Sequence, residues 1–240
     1  MFTSLSLHQP VIAQTETRVN RNAPSLPIQL NKKKKKQDAS DRGRPTRRRA
    51  MGNRNDCPGT SIPLTALIPD NGVSKVVEAN PTFWFFIPYK SSKIPRGEFI
   101  LQDEAHNDVY RTSLSIDKGE GIVGVSLVSK KTLEINKTYQ WYFKLYCDRD
   151  ESSTPIYLRG WVQRIVLQPQ QEKQLSTVTS LRDRVAFYAQ NGIWYSALTE
   201  LAKLRLSNPE NKTFVRYWLQ LLNYLDLQDL SNKPLIGKVN

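Results

Sequence analysis

Apolar and polar residues alternate with a period of two along the middle of this 240-residue chain, from about residue 60 to residue 166. This pattern predicts β-strands. Residues 82–87 (Thr-Phe-Trp-Phe-Phe-Ile) are apolar at almost every position, so we expect a central strand that is covered on both faces. About seven such segments, about 10–20 residues apart, predict an antiparallel β-sandwich of the Ig-like type over residues 56–170.

Beyond Pro169 the apolar pattern changes to the period of a helix. Three helices are predicted, over residues 177–190, 193–206 and 209–227, with Asn191-Gly192 as the first break. The middle helix is similar to the second half of a tetratricopeptide (TPR) repeat in the spacing of six residues: Gly192, Trp194, Ala197, Leu201, Leu204 and Pro209.

A single TPR-like hairpin is too short to form a solenoid, which needs about three stacked repeats. We therefore expect residues 171–230 to form a helical hairpin and a third helix that pack on the sandwich. Residues 231–240 are predicted to be a flexible C-terminus. The predicted fold class is mainly β with a helical tail, α+β.

The formal net charge of +13 is concentrated near the N-terminus. Residues 18–54 hold 13 Lys and Arg against two Asp, whereas residues 55–240 hold 22 Lys and Arg against 19 Asp and Glu. Blocks of like charge repel and bury too little apolar surface to fold. Residues 14–55, which include Lys32 to Lys36, lack apolar periodicity and are predicted to be a disordered basic linker.

Residues 1–13 are similar to the end of a secretory signal peptide. Val11 and Ala13 occupy the −3 and −1 positions of a small-residue cleavage site before Gln14. A basic n-region and a full h-region are missing, so the segment is interpreted as a truncated signal remnant or as a disordered N-terminus that contains Ala-Gln. The first interpretation places the protein outside the cytoplasm, in the periplasm, the cell envelope or the medium.

The chain has two cysteines, Cys57 and Cys147, and no C-x-x-C motif. A zinc or thioredoxin-type site is therefore not indicated. Two free core thiols are the usual case in a cytosolic protein, and a disulfide is the expected state in an oxidising compartment. With the signal remnant, the placement of Cys57 and Cys147 predicts a disulfide worth about 4 kcal/mol in the chain-entropy model.

Histidine is nearly absent, since the chain holds only His8 and His106. This argues against Ser-His-Asp, Cys-His and poly-His sites, and no P-loop, dinucleotide fingerprint or H-E-x-x-H motif occurs. Two acidic loops are candidate cation sites: Asp103, Glu104, His106 and Asp108, and further on Asp148, Asp150 and Glu151. Solvated polar turns explain both loops more simply. The sequence predicts no catalytic residue, no metal site and no cofactor.

Several motifs resemble, in order and spacing, the cyanobacterial domain-of-unknown-function family nine-two-eight. They are residues 80–89, 98–104, 109–112, 139–143, Cys147, 160–164 and 191–198. The resemblance covers about residues 57–225. It implies a cyanobacterial and exported protein with a basic linker ahead of the domain. It implies no activity and transfers no catalytic residue.

Three classes of function remain open. We expect a non-enzymatic binding or scaffold module outside the cytoplasm, whose partner is a protein, an envelope glycan or an anionic lipid, and which does not span a membrane. A glycan hydrolase would need a cleft with two carboxylates. Nucleic-acid binding would need basic residues and exposed aromatics that continue from the tail onto the folded domain, and specific nucleic-acid binding is not expected. The basic segment itself is interpreted as an electrostatic tether to an anionic surface or as a spacer.

Overall fold

The described residues of the protein form nine strands in two sheets and four α-helices. The computed structural model describes residues 46–50, 57–70, 73–93, 96–128, 132–148, 150 and 153–239. The strands are β1 (Thr65–Ala66), β2 (Val73–Val76), β3 (Thr82–Ile87), β4 (Arg96–Gln102), β5 (Asp108–Leu114), β6 (Gly121–Ser126), β7 (Thr138–Tyr146), β8 (Ile156–Arg164) and β9 (Leu235–Val239). The helices are α1 (Pro169–Thr177), α2 (Leu181–Gln190), α3 (Trp194–Ser207) and α4 (Lys212–Tyr224).

The two sheets stack across a common apolar core. The first sheet has the order β1-β3-β6-β9 and the second has the order β2-β8-β7-β4-β5. Phe85 of β3 stacks on Phe143 of β7 with ring centroids 4.1 Å apart, and Phe83 lies 4.8 Å from Phe99 of β4. Aromatic side chains from both sheets therefore meet in the space between them.

Helices cover the other side of the four-stranded sheet. All six residues of β3 are buried, because Phe83 and Phe85 face the second sheet while Trp84 and Phe86 face the helices. The indole nitrogen of Trp84 donates a hydrogen bond to Oγ1 of Thr199 on α3, at 2.9 Å. The doubly apolar pattern of residues 82–87 thus corresponds to a central strand between two cores.

Helix α3 also sends one side chain between the sheets. Tyr195 belongs to the core between the sheets, and its hydroxyl accepts a hydrogen bond from the indole nitrogen of Trp141, at 2.8 Å. Complete burial raises the pKa of Tyr195 far above its ordinary value, so this hydroxyl stays protonated. The bond satisfies the Trp141 donor and fixes α3 relative to β7.

Two strand pairings depart from the predicted all-antiparallel sandwich. β2 pairs in parallel with β8, and β9 pairs in parallel with β6. The second pairing also corrects the predicted flexible C-terminus, because residues 235–239 form an ordered edge strand. The helical chain carries residue 235 back to the first sheet, and parallel pairing requires a crossover of this kind.

The predicted helix boundaries also need correction. The described residues from Pro169 onward form four α-helices where three were predicted, and the segment predicted to begin at residue 177 begins instead at Leu181. Helix α1 has no buried residue, so it lacks the apolar stripe that would have revealed it. Its Gln171 accepts a hydrogen bond from the Gln168 backbone and donates one to Asn191 at the end of α2.

The last part of the predicted linker is folded. Residues 46–50 (Thr-Arg-Arg-Arg-Ala), which we call the strap, run between the edges of the two sheets. Arg47 exchanges backbone hydrogen bonds with Arg159 of β8, and Arg49 forms a bridge with Thr65 of β1. Residues 1–45 and 51–56, which hold the predicted signal remnant and the rest of the linker, lie outside the described residues.

The strap is held by its central arginine. Arg48 is buried, with only 8% of the residue exposed. One of its terminal nitrogens donates hydrogen bonds to the backbone carbonyls of Ile68 and Leu225, at 3.1 and 2.6 Å. The neighbouring Arg49 forms a half-exposed, bidentate pair with Asp229. Three arginines that contributed to the charge of the predicted linker therefore belong to the folded domain.

The Cys57–Cys147 disulfide is present, with the two Cα atoms 5.0 Å apart. It joins the segment that follows the strap to the end of β7. The bond closes a sequence separation of 90 residues, so it constrains the unfolded chain over much of the first half of the domain.

Replacement of Gly160 by alanine is expected to destabilise the protein. A Cβ at Gly160 would lie 2.3 Å from a ring carbon of Trp141, which is fixed by its bond to Tyr195. Overpacking of this kind costs about 1–3 kcal/mol. The free energy of unfolding from urea titration measures the effect, and Gly59→Ala is the control because nothing lies within 4 Å of its added Cβ. Equal stability of the two variants would contradict the close packing at Trp141.

The strap predicts unequal effects for two adjacent arginines. Arg48→Met leaves the Ile68 and Leu225 carbonyls without a charged donor and should cost about 3 kcal/mol, since bonds to charged groups contribute about 1.5–3 kcal/mol each. Arg49→Met removes a half-exposed ion pair at the surface and should cost only about 1 kcal/mol. Urea unfolding of both variants provides the comparison, and a larger loss for Arg49→Met would show that the strap is held differently.

Candidate functional site

A concave cleft of about 260 Å³ lies where the strap meets the helices. We call it the arginine cleft. Its lining comes from the strap, the segment after β1, the start of α3 and the end of α4: Arg48, Pro69, Asp70, Trp194, Tyr224, Leu225 and Asp226. The residues at its two ends are far apart in sequence, so only the packing of the strap against α4 creates the cleft.

The aromatic wall of the cleft is a pair of rings. Trp194 and Tyr224 lie with ring centroids 5.1 Å apart and with their planes tilted by 32°. Trp194 is the first residue of α3, after the Asn191-Gly192 turn, in which Gly192 adopts a positive φ of 74°. Tyr224 is the last residue of α4. The pairing of these two helix ends therefore places both rings at the same opening.

Arg48 is the buried cation of the cleft. Burial lowers its pKa, and the nearby Asp70 carboxylate acts in the opposite direction. The Arg48 Nε lies 3.3 Å from Oδ1 of Asp70, within ion-pair distance, yet the two atoms are not aligned for a hydrogen bond. This buried N–H is therefore a donor without an aligned acceptor among the described residues. Such a group has a free-energy cost that a bound acceptor would remove.

The carboxylates of Asp70 and Asp226 are the anionic groups of the cleft. The Asp70 side chain is 80% exposed, so it is accessible to a ligand. Asp226 follows the end of α4 and has a positive φ of 56°, a conformation that Asp adopts more readily than most residues. Together the lining offers an aromatic surface, carboxylate acceptors and a guanidinium donor. Ligand sites commonly combine apolar walls with a few polar groups in this way.

The outer side of the five-stranded sheet forms a second candidate surface. We call it the tyrosine face, and its members are Tyr142, Tyr146, Tyr157, Arg47, Arg96, Arg111, Lys144 and Arg159. Arg96 lies over the ring of Tyr146 at 3.8 Å and Arg47 over the ring of Tyr157 at 4.5 Å. Cation–π contacts of this type hold guanidinium groups in place beside aromatic rings.

Acidic side chains partly neutralise the tyrosine face. Arg111 pairs with Glu98 of β4 and with Asp108 of its own strand. Hydrogen bonds from Gln102 and Arg111 lower the pKa of Asp108. The cations of this face still outnumber the two carboxylates, so basic and aromatic residues do continue from the tail onto the folded domain.

The two acidic loops singled out by the sequence do not form a shared site in the described residues. In the first, Asp103 accepts hydrogen bonds from the backbone of Ala105 and Asn107, and His106 has a positive φ of 64°. In the second, Asp148 accepts a hydrogen bond from the Asp150 backbone, while Glu151 lies outside the described residues. The contacts of both loops are those of polar turns.

Another carboxylate group lies on the helical side. Ser196 donates to Glu78 at 2.6 Å, and Glu200 pairs with Arg184. Burial raises the pKa of Glu200, with Glu78 adding to the shift. Neither glutamate lines the arginine cleft, so we interpret this cluster as part of the contact between α3 and the sheet.

Sequence reasoning missed every residue of the arginine cleft as a site. Arg48 was assigned to the linker and Trp194 to a TPR-like helix, and each assignment followed from its local pattern. Arg48 and Leu225 are 177 residues apart. No local signal reports a contact of that range, so only the tertiary structure brings the site together.

Two features are absent from the described residues. These residues contain no group of three or more His, Cys, Asp or Glu residues placed to hold a metal ion. None of the helices in the described ranges has the length and apolarity that are needed to cross a bilayer.

Comparison with known proteins identifies a family and no activity. No curated protein and no solved structure matched the chain. The family model described as Domain of Unknown Function (DUF928) matches residues 46–235, a span that begins with the strap and ends at the first residue of β9. The chain therefore belongs to the DUF928 family.

Proposed function

We propose that the protein is a non-enzymatic binding module that works outside the cytoplasm and holds a neutral saccharide in the arginine cleft. The observation that carries this proposal is the cleft itself, in which a tilted Trp194–Tyr224 pair faces two carboxylates and a buried guanidinium. Sugar rings present C–H faces to aromatic rings and hydroxyl groups to carboxylates. Hydrogen bonds to charged groups contribute about 1.5–3 kcal/mol each, enough for useful affinity in a small cleft.

The size of the cleft supports a small binding unit. At about 260 Å³ it lies just below the range of about 300–1,000 Å³ that is usual for small-molecule sites. One sugar residue of a longer glycan is a suitable occupant, with the rest of the glycan outside.

The disulfide supports a location outside the cytoplasm. Structural disulfides form and persist in oxidising compartments and are rare in the cytosol. Cys57 and Cys147 are joined in this protein, and envelope glycans are abundant ligands in such a compartment. The compartment remains a proposal that fractionation of the native cell would test.

Removal of the cleft carboxylates should weaken sugar binding. We expect at least one of cellotetraose, chitotetraose and maltotetraose to bind the full chain in isothermal titration calorimetry. Asp70→Asn and Asp226→Asn should each raise the Kd about tenfold, which corresponds to about 1.4 kcal/mol. Asp117→Asn is the matched control, because Asp117 is exposed and lies outside the cleft. Absence of binding to all three sugars, or an equal effect of the control, would contradict the proposal.

The same samples distinguish binding from hydrolysis. Two carboxylates across a cleft are the groups that glycosidases use, and Asp70 and Asp226 both line this one. Mass spectrometry of each tetrasaccharide after incubation with the protein should show it intact. Shorter sugars that accumulate with wild-type protein and not with Asp70→Asn would replace the binding proposal by a hydrolase.

A second candidate function is the binding of an anionic polymer to the tyrosine face. Binding of a nucleic acid or another polyanion through the tail would require basic and aromatic residues that continue onto the folded domain. The tyrosine face provides both kinds of residue. Residues 18–45 add nine Lys and Arg against two Asp. An acidic envelope glycan is the ligand that agrees with the proposed compartment.

Binding to the tyrosine face should depend on salt and on individual cations. Arg96→Ala and Lys144→Ala should each weaken binding of polygalacturonate at 50 mM salt, and wild-type binding should fall steeply as salt rises. Lys203→Ala, on α3, is the control. Fluorescence anisotropy with labelled polygalacturonate measures this, and a labelled oligo-dT of equal charge is the competitor. Tighter binding of oligo-dT would favour a nucleic acid, and no loss in either variant would exclude the face.

Two finer structural relationships belong to this proposal. We propose that the two stacked sheets are related to Ig-like sandwiches and that α2 and α3 are a TPR-like hairpin. Stacked aromatic cores and the short Asn191-Gly192 turn between α2 and α3 support these relationships. The parallel pairings of β2 and β9 require that any Ig-like ancestor gained two edge strands.

A further inference from the structure

Strand β5 ends the five-stranded sheet and leaves an open edge. The other three terminal strands have neighbours: the strap bridges to β1, Lys75 of β2 donates its backbone N–H to Gly192, and α3 packs against β9. Within the described ranges, no backbone hydrogen bond reaches the outer side of β5. An unpaired edge of seven residues is a template for an additional strand.

The charges of β5 do not block this edge. Charged side chains on edge strands usually prevent pairing with other chains. Arg111, however, is bound to Glu98 and Asp108 on the tyrosine face, and therefore does not stand out from the edge. The backbone groups of the strand remain accessible to a partner.

The backbone groups that face the edge can be assigned. The backbone N–H and C=O groups of Arg159 bond to Arg47, on the side of β8 away from β7. The residues of β8 whose side chains face outward therefore direct their backbone groups away from β7. The residues whose side chains face the core direct their backbone groups to β7. In an antiparallel ladder the direction of bonding alternates with each residue. It follows from the registers of β8, β7, β4 and β5 that the backbone N–H and C=O groups of Tyr110 and Thr112 point to β4. Those of Arg111 and Ser113 point to the open edge.

A cleft of about 310 Å³, with Thr132 and Glu134 among its polar lining residues, opens beside the start of β5. Leu101, Leu127 and Leu133 are buried at its base. A bulge in the β4–β5 register leaves one residue of β5 without an opposite partner, so Val109 and Tyr110 both line the cleft. This volume accommodates one or two apolar side chains delivered by a strand at the adjacent edge.

We propose that residues 26–30 of this chain (Leu-Pro-Ile-Gln-Leu) add to β5 as a further strand and place Leu26 in this cleft. The basic segment as a whole lacks apolar periodicity, but these five residues are an exception, with apolar side chains at every second position: Leu26, Ile28 and Leu30. A period of two is the pattern of a strand with one buried face. The run is too short to predict a strand by itself, and β5 supplies the missing partner.

Proline decides the direction of the added strand. In an antiparallel arrangement with the leucines facing the core, the edge residues Arg111 and Ser113 would face Pro27, which has no N–H to donate. In a parallel arrangement the backbone groups of Leu26 and Ile28 form the hydrogen bonds to Arg111 and Ser113, while their side chains still face the core. The backbone nitrogen of Pro27 then points away from β5, where no donor is needed. Proline at an outer edge also prevents the addition of another strand. The parallel arrangement is therefore the one we propose.

The length of chain between the segment and the strap permits this arrangement. Fifteen residues separate Leu30 from Thr46, and an extended chain of that length spans up to about 50 Å. The strap lies on the side of β8 that faces away from β7, four strand positions from β5 and five from the added strand. At about 4.8 Å per position the strap is about 24 Å from the added strand, so the docking is possible within one molecule.

Amide hydrogen exchange of the full chain, followed by NMR, tests the proposal. In wild-type protein the amides of Arg111 and Ser113 should be protected. The triple variant Leu26→Asp, Ile28→Asp, Leu30→Asp should exchange them at least ten times faster, while the amide of Thr112, which bonds to β4, keeps its rate. The matched control replaces three other apolar residues of the N-terminal segment, Leu5, Leu7 and Val11, by Asp and should change none of these rates.

Two outcomes would overturn the proposal. Equal exchange of Arg111 and Ser113 in wild-type protein and in the triple variant would show that residues 26–30 do not bind this edge. Protection that disappears on tenfold dilution of the wild-type protein would show that a second copy covers β5, and not the same chain. Both results are independent of sugar binding in the arginine cleft.

Discussion

The burial of β3 on both faces is the constraint on which the rest of this structure depends. Its alternate side chains enter two different cores, one between the sheets and one under the helices. A strand with this composition cannot lie at a surface. If either of its faces were exposed to water, the protein would lose the free energy that is gained by burying several large apolar side chains. The helices are therefore an essential layer of the fold, and their position on the four-stranded sheet follows from Trp84 and Phe86.

The helical layer in turn positions the arginine cleft. Tyr195 reaches between the sheets to Trp141 and fixes the start of α3, so the adjacent, buried Trp194 is held against Tyr224 at the end of α4, where it lines the cleft. The strap then closes the site from the other side through Arg48. A candidate ligand site thus arises where three separately anchored segments meet. Rigid anchoring of this kind favours affinity, because the residues of the site lose little conformational freedom on binding.

The strap changes the interpretation of the charge distribution. A run of arginines read along the sequence predicts a solvated segment, but Arg47, Arg48 and Arg49 have three different environments: a tyrosine ring, buried carbonyls and an aspartate pair. The basic character of the chain is therefore divided between residues before the strap and the folded tyrosine face. This division is what makes a polyanion a reasonable second ligand, although the body of the domain is nearly neutral.

The sequence by itself determined the elements whose pattern repeats locally. The two-sided apolar run of residues 82–87, the alternation around Trp141 and the helical stripes after Pro169 each report a local periodicity, and they correctly indicated a β core followed by helices. The Cys57–Cys147 bond was also predicted, from the placement of the two cysteines together with the signal remnant. The tertiary structure alone decided the parallel pairings of β2 and β9, the folding of the strap and the arginine cleft. Each of these depends on contacts between residues far apart in the chain, such as Arg48 and Leu225, and no local periodicity records where a distant segment will pack.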